Sequence, residues 1–335
     1  MAGGADTGEL TEQSPEPVLV FGEVHTCMLP HSQVLTGHGA ANLLRLRAGE
    51  QVRLSERPNL YVRSPDVMTG VDCHLPTDSG AKVRAVGTVT TRVTLTEGRL
   101  LQAGAFCAVT ADGPHRRRRW GHYLACPGVV EPFGTLPGRD VADGCLNDTH
   151  RPGDLDLGAI AGRTLSRVLR DRALDKQPPF KSQVTRLRWV GLQVPDGEAP
   201  SLESFTLAGN GLRTAELRLP AGIAADAAAA VCHDLTLHDW LLTTLVRMVE
   251  RSRLGSIDGR DALAALRPAV DHLIHLWMPA ARVDQVLRPL WEALEREPGF
   301  TRQWLILVQR IRDQLALQTA AHARCGCCAA LLGHE

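Results

Sequence analysis

Between Val83 and Val109 the chain alternates apolar and polar side chains with a period of two. Val83, Ala85, Gly87, Val89, Thr91, Val93 and Leu95 share one face of an extended segment, and Arg84, Val86, Thr88, Thr90, Arg92, Thr94 and Thr96 share the other. After Glu97-Gly98-Arg99 the alternation resumes, with Leu101, Ala103, Ala105, Cys107 and Val109 as the apolar set. A three-residue loop pairs 95 with 101, 93 with 103 and 89 with 107, which keeps both apolar sets on one side; a two-residue loop would separate them. The pattern predicts a long hairpin with the wider loop, buried on one side. An isolated hairpin is marginal in water, so other segments must cover that side.

Pro17 to Met28 has a buried-strand core at Val18 to Phe21 and is expected in the same sheet. A short amphipathic helix is predicted at Ala40 to Arg47, followed by outer strands at Val52 to Leu54 and Leu60 to Val62. Pro127 to Pro152, rich in Gly, Pro, Asp and Asn, reads as a long loop. Asp154 to Asp175 has a helical period, and Pro178-Pro179 stops it. Strand returns at Gln183 to Val194, and Ser204 to Leu207 with Leu212 to Leu219 flank Gly209-Asn210-Gly211 as a second hairpin.

From Ala221 the pattern is helical. Four segments are predicted: Ala224 to Leu254, with His233 as the place where it would break; Asp261 to Met278; Ala280 to Arg296; and Thr301 to about Ala323. Short connections favour antiparallel neighbours. The expected fold class is therefore α+β, an N-terminal antiparallel β-rich domain followed by a C-terminal antiparallel helical bundle. The divisions are a disordered leader at 1–16, the β-rich domain at 17–135, a linker, helix and second β element at 136–220, the helical bundle at 221–324 and a Cys-rich tail at 325–335.

Composition narrows the partners. The 37 Lys and Arg balance 37 Asp and Glu, so there is no global field of the kind that marks a general nucleic-acid or membrane binder. At 44% hydrophobic and 22% charged residues the chain is of ordinary globular composition, without an apolar run of membrane-spanning length. The first residues are small and acidic with no apolar core, unlike a secretory signal or transit peptide. Nine cysteines, an odd number spread along the chain, read as reduced thiols and a cytoplasmic location.

Several clusters are candidates for chemistry. Cys325 and Cys328 have C-x-x-C spacing beside His322 and Cys327, and zinc is the metal this half-site would take. Closure at four ligands would need Cys327, His322, His334 or distant residues such as Cys73-His74 or Cys232-His233; the competing reading is a tail without metal. His272 and His275 are three apart with Asp271 nearby, and Asp234 and His238 are four apart, so facing helices could gather them into a metal or acid/base cluster. Ordinary hydrogen-bonded histidines are the alternative. Arg116, Arg117, Arg118 and Arg119 beside Trp120 and Tyr123 suit single-stranded nucleic acid or phosphate; a solvated loop or a contact with an acidic partner is the commoner role of such a run. Gly37-His38-Gly39 with Asn42 is an incomplete dinucleotide fingerprint, and the phosphate-binding and nucleophile-elbow motifs are absent. In Asp72-Cys73-His74 a thiol neighbours an imidazole only in sequence.

The segments FGEVHTC at 21–27, SERPNL at 55–60, SPDVMTGVDCHLPTDSG at 64–80, VRAVGTV at 83–89 and GHYLACPGVVE at 121–131 together resemble an actinobacterial family of unknown function, of the kind found in Streptomyces. The resemblance covers chiefly the first 135 residues and brings no catalytic residues with it. It implies a multi-protein system whose other members include a P-loop protein and a SAM-dependent methyltransferase. The expectation from residues and resemblance together is a non-enzymatic cytoplasmic accessory protein acting through protein contacts. A metal-dependent enzyme, with His272, His275, His233 and His238 as bundle ligands or Cys325 and Cys328 as a tail site, and nucleic-acid or phosphate binding through Arg116–Arg119, are the alternatives.

Overall fold

The structure, a computed structural model, describes residues 17–147, 151–194, 198–208, 211–252 and 259–332, with side chains described from 18 to 317 in those ranges apart from 259–263. The leader at 1–16 and Gly209-Asn210 of the second turn lie outside the described residues.

The strands are β1 (Pro17–Met28), β2 (Arg53–Ser55), β3 (Tyr61–Arg63), β4 (Val67–Leu75), β5 (Val83–Thr96), β6 (Leu100–Thr110), β7 (Asp112–Gly113), β8 (Val129–Pro132), β9 (Gly134–Thr135), β10 (Thr185–Val194), β11 (Ser201–Leu207) and β12 (Leu212–Pro220). Ten of them form one sheet in the order β11-β12-β10-β1-β6-β8-β5-β3-β2, with β4 also on β5. The helices are α1 (Gly37–Leu43), α2 (Trp120–Ala125), α3 (Gly138–Leu146), α4 (Leu157–Leu169), α5 (Ala225–Arg251), α6 (Gly259–His272), α7 (Arg288–Arg296) and α8 (Phe300–Leu332).

The central hairpin has the predicted loop. Leu95 pairs with Leu101 and Val93 with Ala103. Glu97 and Gly98 both take positive φ, and the Glu97 side chain accepts a hydrogen bond from Leu60 N at 2.7 Å, which holds this left-handed residue in place. The expected 89–107 pair does not form. The ladder ends at Thr90 and Phe106, where β8 wedges between the two strands, antiparallel to β5 and parallel to β6. So the stretch 127–152 is not a plain loop; it carries β8, β9 and α3. A four-residue strand is too short to stand out against glycines and prolines.

Burial of the hairpin is two-sided, which corrects the one-sided expectation. On one face Leu19, Phe21, Val89, Val93, Leu101 and Cys107 pack beneath α1, α3 and α4. On the other face lie Val20, Leu100, Phe106, Trp189 and Leu217, which share a core with α5 and the helices beyond it. From Thr88 to Thr96 the polar residues of β5 are buried on this second face, although Arg84 is exposed: Arg92 is 2% exposed because the carboxylates of Asp66 (2.8 Å) and Asp226 meet its guanidinium. Alternation tells which residues share a face, but polar residues can be buried once their hydrogen bonds are met.

The second β element joins the same sheet, since β10 pairs antiparallel with β1 and parallel with β12. β4 was not foreseen, although Val67, Thr69, Val71, Cys73 and Leu75 alternate with period two. A β-rich N-terminal part is followed by C-terminal helices, with α5 on the sheet and contacting α6 and α8 on its other side. α5 runs unbroken through His233. The second and third predicted helices are shorter than expected: α6 stops at His272 before a 3-10 turn at Ile274–Leu276, and α7 starts only at Arg288. Among the described residues no helix is long and apolar enough to cross a membrane.

Candidate functional site

The floor of the site is built by cross-strand register. Arg53 lies opposite Arg63, Arg63 opposite Thr94, and Thr94 opposite Gln102, so one polar row crosses from the β2 edge into the sheet. The next row is Ser55, Tyr61 and Thr96. Facing residues in register share a side of the sheet, and here it is the side turned to α5. The intervening Val62 points the other way into the core under α1.

The roof is one face of α5. Ala230, His233, Asp234, Leu237 and His238 recur at three and four residues and so project together. Leu276, Met278, Ala281 and Arg282, from the segment after α6, form the wall. Between them is a cavity of about 310 Å³, at the low end of the range for small-molecule sites.

Each polar group on this cavity has a traceable state. His238 donates from Nδ1 to the Asp234 carbonyl at 2.7 Å and accepts at Nε2 from Met278 N at 3.2 Å, so both ring nitrogens are used. Its ring meets Trp277 and Trp291 edge-on. Asp234 accepts from Ala280 N at 2.8 Å, and burial pushes its carboxyl up against the opposing pull of His238. The Arg282 guanidinium lies 4.3 Å from the Tyr61 ring centroid and donates to Asn59 O and Oδ1 at 2.6 and 2.8 Å. Burial pushes the Tyr61 phenol up, opposed by Arg63, Arg92 and Arg282.

His233 differs from all of these. It is 5% exposed, and neither ring nitrogen has a hydrogen-bond partner among the described residues. Gly104, the cross-strand neighbour of Arg92, makes room for it, since a β-carbon at 104 would stand 2.3 Å from His233 Nε2. Burial, with Arg92 and Arg63 adding to it, lowers its pKa to about 3. The imidazole is therefore neutral, with one donor and one acceptor. Gln102 ties the helix to the floor by donating from Nε2 to the His233 carbonyl at 2.8 Å.

The sequence candidates are placed differently. Asp234 and His238 do share a face, with 3.7 Å between Oδ2 and Nδ1. His272 and His275 do not share a face of one α-helix, because the α-helix ends between them; the His272 ring stacks on Phe180 and His275 is exposed. No group of three or more His, Cys, Asp or Glu able to hold a metal ion comes together among the described residues. The side chains of His322, Cys325, Cys327 and Cys328 lie outside the described residues, as does His334. Cys73 and His74 are consecutive on β4, and consecutive strand residues point to opposite faces, so they form no pair.

Arg116–Arg119 precede α2 and are exposed. Arg117 is paired with Asp72 at 3.2 Å and lies over the Trp120 ring at 5.2 Å, while Arg118 meets His122 at 3.3 Å. Trp120 itself is 38% exposed.

Tyr61, Arg53, Arg63 and Arg282 went unrecognised in the sequence. They come from three separated segments and carry no motif; the only local signal is a pair of short strands, each with one arginine. Compared with protein-family models, with curated proteins and with solved structures, the chain matches none.

Proposed function

We propose that the protein is a cytoplasmic, non-catalytic accessory component that binds a small organic molecule beneath α5 and acts through contacts with other proteins. The observation that carries the ligand part is His233. A buried polar group left without a partner costs about 1–3 kcal/mol, and a ligand that meets the imidazole from the cavity would offset that cost. The remaining cavity groups favour binding over catalysis: His238 uses both ring nitrogens, and Asp234 is engaged by Ala280.

The outer helices α6 to α8, read as an antiparallel bundle with α5, would supply the surface for partners, and Leu305 and Ile306 are exposed there. The actinobacterial resemblance implies a P-loop protein or a SAM-dependent methyltransferase as the companion to look for. Ligand occupancy under α5 would then report to that partner through the helix both share.

Native mass spectrometry of the full chain purified from an actinobacterial cytoplasm tests this reading. Wild-type protein is expected to carry a small molecule that Ala230→Trp, which fills the cavity, no longer retains. A bare chain mass in both counts against it.

A second reading, contact with nucleic acid or phosphate through Arg116–Arg119, is supported by exposed Trp120 with Arg117 over its ring. It requires affinity that falls steeply with salt and drops when the four arginines become alanine.

A further inference from the structure

We infer that the molecule bound in this cavity is an organic oxyanion, its phosphate or carboxylate held at the rim by Arg53, Arg63 and Arg282 and its uncharged end turned toward His233. This rests on the reading that the cavity binds a small molecule, and it adds the chemical class.

The first observation is Arg53 opposite Arg63 on two three-residue edge strands. Like charges directly opposite in a ladder are destabilising, and both side chains line the same cavity. The Arg53 side chain has no hydrogen bond or ion pair among the described residues. Arg63 reaches Asp66 and Asp226, each at 3.3 Å, but these two carboxylates also serve buried Arg92. Among the described residues the Arg282 side chain is hydrogen-bonded only to the neutral oxygens of Asn59. Glu97 and Asp234 act on Arg282 through space but form no ion pair with it among the described residues, since Glu97 accepts from Leu60 N and Asp234 from Ala280 N. Three guanidiniums therefore converge on one opening with carboxylates to spare for fewer, and planar guanidinium forks match carboxylate and phosphate oxygens.

The second observation is the contrast between rim and depth. Leu237, Leu276 and Met278 line the cavity beside the stacked Tyr61 and Arg282, which suits a carbon skeleton or ring. His233, neutral, can accept from and donate to an uncharged group but offers no charge to a second anion. A volume of about 310 Å³ holds one substituted ring or sugar and excludes a polymer.

The test is calorimetric titration and thermal unfolding of the full chain with inorganic pyrophosphate and with citrate, glucose being the neutral control. One of the two anions is expected to bind saturably and raise the unfolding temperature, which distinguishes phosphate from carboxylate chemistry. Arg53→Gln and Arg282→Gln each weaken it by about tenfold or more, the worth of a charge-assisted contact. Arg53 is exposed, so Arg53→Gln is expected to fold as wild type does, and calorimetry reads its effect on binding apart from any change in unfolding temperature. Absence of saturable binding by either anion, or equal binding by wild type and both variants, overturns the inference. If native mass spectrometry instead finds a neutral molecule that Ala230→Trp releases, the oxyanion is wrong and the cavity reading stands; no retained molecule and no anion binding reject both.

Discussion

Gly158 of α4 sits directly over Glu23 of β1: a β-carbon at 158 would stand 2.6 Å from the carboxylate Oε1. The helix can approach only because this residue has no side chain. Beneath it Glu23, 1% exposed, accepts from His25 Nε2 at 3.0 Å and from Arg188 Nε at 2.9 Å, and Arg188 donates onward to Asn147 O at 2.7 Å. One turn further on, Gly162 meets only His25, at an ordinary 3.5 Å. Gly158→Ala is therefore expected to destabilise the fold by about 1–3 kcal/mol through overpacking on a buried ionic cluster. Gly162→Ala should be neutral or stabilising by up to about 1 kcal/mol, from helix propensity alone. Urea unfolding of the two variants separates them, and equal effects would mean that α4 is not seated on Glu23.

Acid should unfold the protein partly through this carboxylate. Burial pushes Glu23 up, but the His25 hydrogen bond and the Arg188 charge together outweigh it and bring the pKa from the usual 4.5 to about 2. A depressed folded-state pKa stabilises above the unfolded value and loses that contribution as pH falls. The window is pH 4.5 down to 2, and the contribution is of the order of 3 kcal/mol. Unfolding free energies across that range should fall steeply in wild type and more gently in Glu23→Gln, which has already lost stability at neutral pH.

His233 acts at milder acidity. Its pKa is lowered from 6.5 to about 3, so the unfolded chain takes up a proton that the folded chain refuses. Stability on this account falls as pH drops from about 6.5 towards 3. His233→Gln, neutral throughout, should flatten the profile between pH 6.5 and 4.5, where Glu23 does not titrate, and leave the Glu23 contribution alone below that. An unchanged profile would place the histidine in contact with water.

Gly104 and His233 should behave as a coupled pair. Gly104→Ala drives a β-carbon to 2.3 Å from Nε2 and is expected to lift α5 at that point, costing about 1–3 kcal/mol and releasing the cavity's ligand. His233→Ala should recover part of the stability in the double variant, giving a coupling energy above about 0.5 kcal/mol in a double-mutant cycle. Strict additivity would separate the two residues.

In the basic run, Arg116→Ala and Arg119→Ala are expected to change stability by less than about 1 kcal/mol, since both side chains are exposed. A larger loss by thermal unfolding would make this loop part of the fold.

The sequence by itself determined the central hairpin, its three-residue loop and the sets of residues that share each face, because alternation and turn length are local and decide register without help from distant segments. It also determined the helical C-terminal third and the Asp234–His238 pair, which depend only on helical spacing. What tertiary structure alone decided is the insertion of β8, the burial of the polar face of β5, and the cavity. Arg53 faces Arg63 because two short strands pair, Gly104 lies under His233 because α5 crosses β6, and Arg282 reaches Tyr61 from more than two hundred residues away. None of these meetings has a period or a spacing to read, because each is set by which surfaces must be buried together.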